Sequence, residues 1–253
     1  MLQRFFGALA LSVLLHAHAH AQPAAAPADL CPDATAAEEN YESVRAALEA
    51  CLAREGLSTA DQAQLWRRMG DTYAMLERGT PTVQAYDRAE ELMTQAEITP
   101  PPLMIATRGR ALQLIGQDER ALADLTRALE VRPRWARTRY FRAQTLINLR
   151  RRDEAIEDLR RAARTPAMAA PANATLSTLL LAQGDDAGAL AAADAAIARS
   201  AENRTAHNVR CEVLSRGGAE AGEAACARAL ALDPENAVTQ RNAARYVAHP
   251  ASQ

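Results

Sequence analysis

Residues 102–135 read PLMIATRGRALQLIGQDERALADLTRALEVRPRW. Ile105, Arg108, Gly109 and Leu112 fall at i, i+3, i+4 and i+7, and Ala121, Leu125 and Ala128 repeat that spacing after Gly116-Gln117-Asp118. One face of a 3.6-residue helix is therefore marked on each side of a turn, which predicts two amphipathic helices joined by a tight connection. The unit recurs. Thirty-four residues on, Gly109 becomes Ala143, then Ser177 and Cys211, while Leu112 becomes Leu146, Leu180 and Leu214. Ala121 becomes Ala155 and Ala189, and Ala128 becomes Ala162 and Ala196. Small residues recur where helices must approach closely, and large apolar ones recur where each helix fills the gap beside its neighbour.

One step back, Trp66, Met69, Gly70 and Tyr73 open a helix as aromatic-x2-apolar-Gly-x2-aromatic, followed by Tyr86 and Ala89. Period and residue types together resemble the tetratricopeptide repeat. The resemblance implies an all-α solenoid of helical hairpins wound into a right-handed superhelix, with capping helices at both ends. Five repeats are expected at 63–96, 102–135, 136–169, 170–203 and 204–235. Arg139, Asn173 and His207 stand where the family usually has a large apolar residue. Thr82 and Gly222 replace the small Ala of the second helix. Between the first two repeats the columns shift by five residues, and Ile98-Thr99-Pro100-Pro101-Pro102 fills the gap as either a hinge or a tolerated insertion.

The 253-residue chain is 49% hydrophobic but only 4% aromatic, which suits close-packed helices with an Ala and Leu core. Its formal net charge is −2, so no global field draws it to nucleic acid or acidic lipid. All 29 basic residues are Arg, which excludes lysine-dependent Schiff-base or Walker-type chemistry. Residues 1–21 read as a secretory signal: Arg4, an apolar run from Phe5 to Leu15, and a small-x-small site at Ala19-His20-Ala21. The run is too short to span a bilayer. The expected address is the periplasm, or secretion.

A flexible linker is expected at 22–32, a capping helix within 33–58 with Asn40 as N-cap, a second capping helix at 236–247 and a tail at 248–253. In an exported chain, four cysteines point to two disulfides rather than to metal, since C-x2-C spacing and His partners are missing. The repeat columns place Cys211 beside Cys226, which leaves Cys31 with Cys51. That second pairing requires residues 31–39 to fold back along the helix from Tyr41, because one continuous helix would hold the two about 30 Å apart.

No Ser-His-Asp or Cys-His set, G-x-S-x-G or P-loop is present, so no catalytic residue, cofactor site or metal site is assigned. In the family, the first helices of the repeats line a concave groove for a peptide or partner helix. The resemblance places there Arg67, Asp71, Thr107, Arg110, Tyr140, Gln144, Asn148, Thr178, Asn208 and Glu212, with Tyr140 as anchor. The Lys and Asn pattern of chaperone-tail binders is absent. The expected function is a non-catalytic, exported adaptor for a protein or peptide partner, with no nucleic acid and no transmembrane anchor. The alternative is an acidic partner or anionic envelope polymer held by the third repeat. There Arg132, Arg134, Arg137, Arg139 and Arg142 precede Arg150–Arg152, Arg160, Arg161 and Arg164. The bland reading of that cluster is solvation and internal pairing.

Overall fold

A computed structural model describes residues 30–32, 40–216 and 220–248. The expected leader, most of the linker and the last residues of the tail lie outside them. The described residues form twelve helices and no strand: α1 (Tyr41–Leu52), α2 (Thr59–Met75), α3 (Gly79–Gln95), α4 (Pro102–Leu114), α5 (Asp118–Val131) and α6 (Ala136–Asn148). The second half contains α7 (Arg152–Ala162), α8 (Pro166–Gln183), α9 (Asp186–Ile197), α10 (Arg204–Arg216), α11 (Glu220–Leu232) and α12 (Ala237–Ala248). Each of α2, α4, α6, α8 and α10 pairs with the helix that follows it, and successive hairpins stack into an all-α solenoid. Helix α1 covers the first hairpin and α12 packs on α10 and α11.

The small-residue column sets how closely each hairpin closes. A Cβ on Gly70 would lie 2.4 Å from Tyr86 Cδ1, and one on Gly109 would lie 2.8 Å from Leu125 Cγ. The ring of Tyr86 is fully buried, so it has nowhere to retreat. Gly70→Ala is expected to destabilise the fold by about 1–3 kcal/mol through overpacking, read as an earlier midpoint in chemical denaturation. In the following repeats Ala143, Ser177 and Cys211 occupy the same column at 0% exposure.

The turns inside the hairpins share a backbone rule. Glu77, Gly116, Arg150 and Gly184 each take a left-handed conformation, with φ of 54°, 74°, 62° and 81°. The next amide then bonds back five residues, as Gln117 N does to Leu112 O (2.9 Å) and Arg151 N to Leu146 O (2.9 Å). Glycine is the natural occupant here, and two of the four positions have it.

The five-residue shift is absorbed by lengthening. Helix α3 runs 17 residues against 14 for α5, and the remaining two extend the connection to α4. Ile98 packs on the cluster of Tyr86, Ala89, Leu92, Met93 and Met104, which pins the inserted segment. Helix starts follow side-chain caps where these exist. Asn40 accepts from the Glu42 and Ser43 amides (3.1 and 3.3 Å), and Asn236 from those of Val238 and Thr239 (3.1 and 3.0 Å).

Two departures from the repeat pattern have structural causes. At Gly222 a Cβ would lie 1.9 Å from the Tyr246 hydroxyl, so the missing methyl seats α12 on the last hairpin. His207 is buried, and its Nε2 lies 2.9 Å from the Ala201 carbonyl. Both cysteine pairs are closed. Cys211 and Cys226 have Cα atoms 4.5 Å apart, and Cys31 and Cys51 5.9 Å, with all four side chains buried. The second bond holds residues 30–32 back against α1, where Arg54 donates to the Leu30 carbonyl (3.3 Å).

Charge is also buried between helices. Arg108, on the inner face of α4, makes two bonds to Asp124 of α5 (2.7 and 2.9 Å) and reaches Asp87 (3.0 Å) and Glu90 (2.6 Å) of α3. One repeat on, Arg142 makes the same paired bonds to Asp158 (2.7 and 2.9 Å).

Candidate partner-binding groove

The first helices of the second and third hairpins carry a stripe of exposed and half-buried residues at i, i+4, i+7 and i+11. On α4 it is Leu103, Thr107, Arg110 and Leu114; on α6 it is Arg137, Phe141, Gln144 and Asn148. The 34-residue step brings these side chains into register across the stack, and three cavities run along them. One of about 560 Å3 lies between α4 and α6, lined by Arg110, Gln113, Leu114, Phe141, Gln144 and neighbouring residues. It shares Ile147, Asn148 and Thr175 with a second, of about 630 Å3, which reaches Thr178, Leu179 and Thr205. The second shares Thr178 and Thr205 with a third, of about 470 Å3, lined also by Asn208, Val209, Glu212 and Asp233. The result is a continuous groove of mixed polarity.

The sequence-assigned residues divide by what they touch. Arg110 has no ion pair among the described residues. Its guanidinium lies 5.0 Å from the Phe141 ring centre, and that of Arg137 lies 5.7 Å away. Gln144 accepts from Gln113 (3.3 Å) and donates to the Tyr140 hydroxyl (3.0 Å), while Asn148 donates to Asp118 (3.0 Å). Thr178 is exposed, and its hydroxyl bonds its own helix, as does that of Thr107. Arg110, Gln144, Asn148 and Thr178 line the three cavities, Thr107 lines a separate narrow cleft, and Tyr140 lines none of them. Tyr140 packs against the core between α6 and α8, with its hydroxyl 3.4 Å from that of Thr175.

At the two ends the assigned side chains are engaged in structure. Arg67 pairs with Asp71 (2.8 Å), and Asp71 accepts from the buried Tyr86 hydroxyl (2.6 Å). Burial pushes the Asp71 carboxyl up, against the lowering pull of Tyr86 and Arg67. Burial and the adjacent Asp71 charge push the Tyr86 phenol up too, so it stays a donor throughout the stable pH range. Asn208 bonds Asp233 (3.3 Å) and accepts from Thr239 (3.0 Å), fastening α12, and Glu212 pairs with Arg216 (3.0 Å).

Phe141 is the groove residue that the sequence reading missed. The signal was present: Thr107 plus 34 residues is Phe141, and a further 34 is Thr175. Tyr140 is one residue, or about 100°, round the helix.

The arginine-rich third repeat does not form a single face. Arg139 and Arg142 converge on the buried Asp158, Arg151 pairs with Glu154 (2.6 Å), and Arg161 with Glu157. Arg137 turns to Phe141, and Arg150 and Arg152 line the cavity of about 630 Å3. Among the described residues no group of three or more His, Cys, Asp or Glu is placed to hold a metal, and no helix is long and apolar enough to cross a membrane.

No family model and no curated protein matches the sequence. Solved structures do share the fold. The chain is similar to PilW, a widely conserved type IV pilus biogenesis factor, with 14% identity and a TM-score of 0.63 over 85% of this chain and 97% of that one. MamA from Desulfovibrio magneticus RS-1 gives 16% identity and a TM-score of 0.57 over 70% and 98%. The APC/C Cut9–Hcn1 hetero-tetramer gives 13% and 0.57, with 82% of this chain covering 40% of that one. These are tetratricopeptide-type helical repeat proteins, so the architecture here is a tetratricopeptide-like solenoid.

Proposed function

We propose that this protein is a non-catalytic adaptor of the bacterial envelope, periplasmic or secreted, which docks a protein partner in its concave groove. The observation that carries the reading is the chain of three connected cavities along the helix faces turned away from the core. Asn148, Thr178 and Thr205 are exposed there and Phe141 is half-buried, while the opposite faces fill the core. Rigid stacked helices present these groups with little ordering on binding, which is how a repeat array turns modest contacts into affinity. Two buried disulfides suit an oxidising compartment, and the sequence begins with a signal-like segment. PilW and MamA are similar in fold, and interaction scaffolding is a role that such a fold serves well.

The test is capture from an envelope extract by the tagged protein. It is run beside a groove variant, Phe141→Ala/Thr178→Arg, and an outer-face variant, Arg160→Ala/Arg164→Ala, all with matched circular dichroism. The expected result is one partner retained by the wild type and the outer-face variant and lost from the groove variant. Capture that ignores the groove change but vanishes in moderate salt or in the outer-face variant would move the site to the arginine-rich repeat. A turnover abolished by His207→Ala would sink the non-catalytic reading.

A further inference from the structure

Arg150 stands where the fold prefers glycine. Its φ is 62°, and the corresponding positions in the flanking hairpins are Gly116 (74°) and Gly184 (81°). The left-handed region disfavours any side chain with a Cβ, so a non-glycine residue held there has a reason beyond the turn. That reason is not local pairing. The Arg150 side chain has no hydrogen bond or ion pair among the described residues, and the nearby Glu154 carboxylate is taken by Arg151 through both oxygens (2.6 and 2.7 Å). The side chain instead lines the 630 Å3 cavity with Arg152, over an apolar floor of Ile147, Leu179 and Ala182. Glu77, the other non-glycine residue at this turn position, also lines the concave side, in a narrow cleft beside Arg110.

The charge around this cavity is one-sided. Arg150 and Arg152 line it, Arg110 lines the adjoining 560 Å3 cavity, where Arg137 lies over Phe141, and no carboxylate lines either. The nearby Asp118 and Asp153 are bonded to Asn148 and Gln183 (3.0 and 3.1 Å). Towards α12 the lining becomes mixed in charge, with Arg204 beside Glu212 and Asp233 in the third cavity. A net-acidic chain thus concentrates unpaired guanidinium groups round an apolar basin in the middle of its groove.

We infer that the α6–α8 section of the groove takes an acidic peptide segment of a partner protein, with a leucine-sized side chain on the Ile147–Leu179 floor and a carboxylate on Arg150. The inference rests on the groove being the docking surface. Guanidinium meets carboxylate in a two-bond fork, which adds geometric selectivity for an acidic side chain.

The test is selection of a phage-displayed random 12-residue peptide library on the full chain, followed by anisotropy titration of the enriched peptides. Enriched sequences are expected to combine Asp or Glu with Leu, Ile or Phe. Arg150→Gly is expected to weaken them about tenfold. The same substitution is expected to raise Tm by about 2–4 °C, since it relieves the turn. Neutral or basic enriched peptides, unchanged affinity in Arg150→Gly, or a lowered Tm in that variant would each overturn the inference. Peptides lacking acid but lost in Phe141→Ala/Thr178→Arg would leave the groove reading standing and remove this one. Enrichment indifferent to every groove change removes both.

Discussion

Arg108→Ala is expected to lower the unfolding free energy by about 3–5 kcal/mol, whereas Arg108→Leu/Asp124→Ala should recover most of the loss. The single change strands Asp124, whose side chain is 11% exposed, and takes one of two arginines from Glu90. The double change removes the charge on both sides of the α4–α5 contact, and the chain already contains that solution. The same two columns hold Met69 and Ala85 in the first hairpin and Leu176 and Ala192 in the fourth, all packed in the core. Asp87 keeps Arg120 (2.9 Å) and Glu90 keeps Arg127 (2.5 Å), so neither carboxylate is orphaned. Urea denaturation followed by circular dichroism measures both variants. A single variant within 1 kcal/mol of wild type, or a double variant no better than the single, would refute the account.

The network also sets an acid limit. Burial alone would raise the Glu90 carboxyl, but the Arg127 hydrogen bond and the Arg108 charge outweigh it and hold it below its usual range. Burial would likewise lower the Arg108 guanidinium, and Asp124 with Glu90 reverses that. A carboxyl depressed in the folded state adds stability that is present above its unfolded pKa and is lost as pH falls through the folded value. Acid unfolding of Glu90→Gln should therefore be shallower in this window than that of the wild type.

The fold was legible because a 34-residue period needs only residue size, and size is written in every column from Gly109 to Cys211. The buried charges were legible too, though less obviously. Arg108 and Arg142 are one period apart, as are Asp124 and Asp158, so a repeated opposite-sign pair stood at facing columns. Its meaning was hidden because amphipathic reasoning assigns charge to solvent by default. Gly222 looked like a defect for a similar reason. Its partner Tyr246 comes from the helix beyond the last repeat, and no within-repeat rule anticipates a contact from a cap.

Of the ten residues assigned from sequence, Arg110, Gln144, Asn148, Thr178, Asn208 and Glu212 line the three cavities, and Arg67, Asp71, Thr107 and Tyr140 do not. Tyr140 carries a polar tip, which suits a binding anchor in general. In this chain the hydroxyl is taken by Gln144, and the ring helps close α6 on α8. Phe141 has no hydroxyl to satisfy and stands beneath two guanidinium groups. The stripe Leu103, Thr107, Arg110 and Leu114 predicts it once the same four offsets are carried forward, since side-chain direction on a helix is set by register rather than by chemistry. Part of the signal at Arg150 was in the sequence, since Gly116 and Gly184 stand 34 residues to either side, but the cavity its side chain lines is visible only in the fold.

Reduction of the two disulfides is the other large effect expected, and it should be local. The Cys211–Cys226 bond closes a loop of sequence separation 15 and Cys31–Cys51 one of 20, each contributing about 3 kcal/mol in the chain-entropy picture. In a solenoid each hairpin touches only its neighbours, so this stabilisation is not shared by the whole chain. Cys211, Cys226 and Ala229 form a small cluster with Ala243 and Tyr246, and α12 closes on it; loss of the bond frees the end of the array from its cap. At the other end, Cys51 is the side chain that holds residues 30–32 on α1. Hydrogen exchange is therefore expected to speed up in α10–α12 for Cys211→Ala/Cys226→Ala and around α1 for Cys31→Ala/Cys51→Ala, with α4–α8 unchanged in both. Uniform acceleration across all helices would show that the stack unfolds as a single unit. Unchanged exchange at both ends would show that the bonds add nothing the helices do not already supply. Because the groove section between α6 and α8 contains neither bond, peptide affinity there should survive reductant at temperatures below the melting of the ends, which separates the staples from the binding surface.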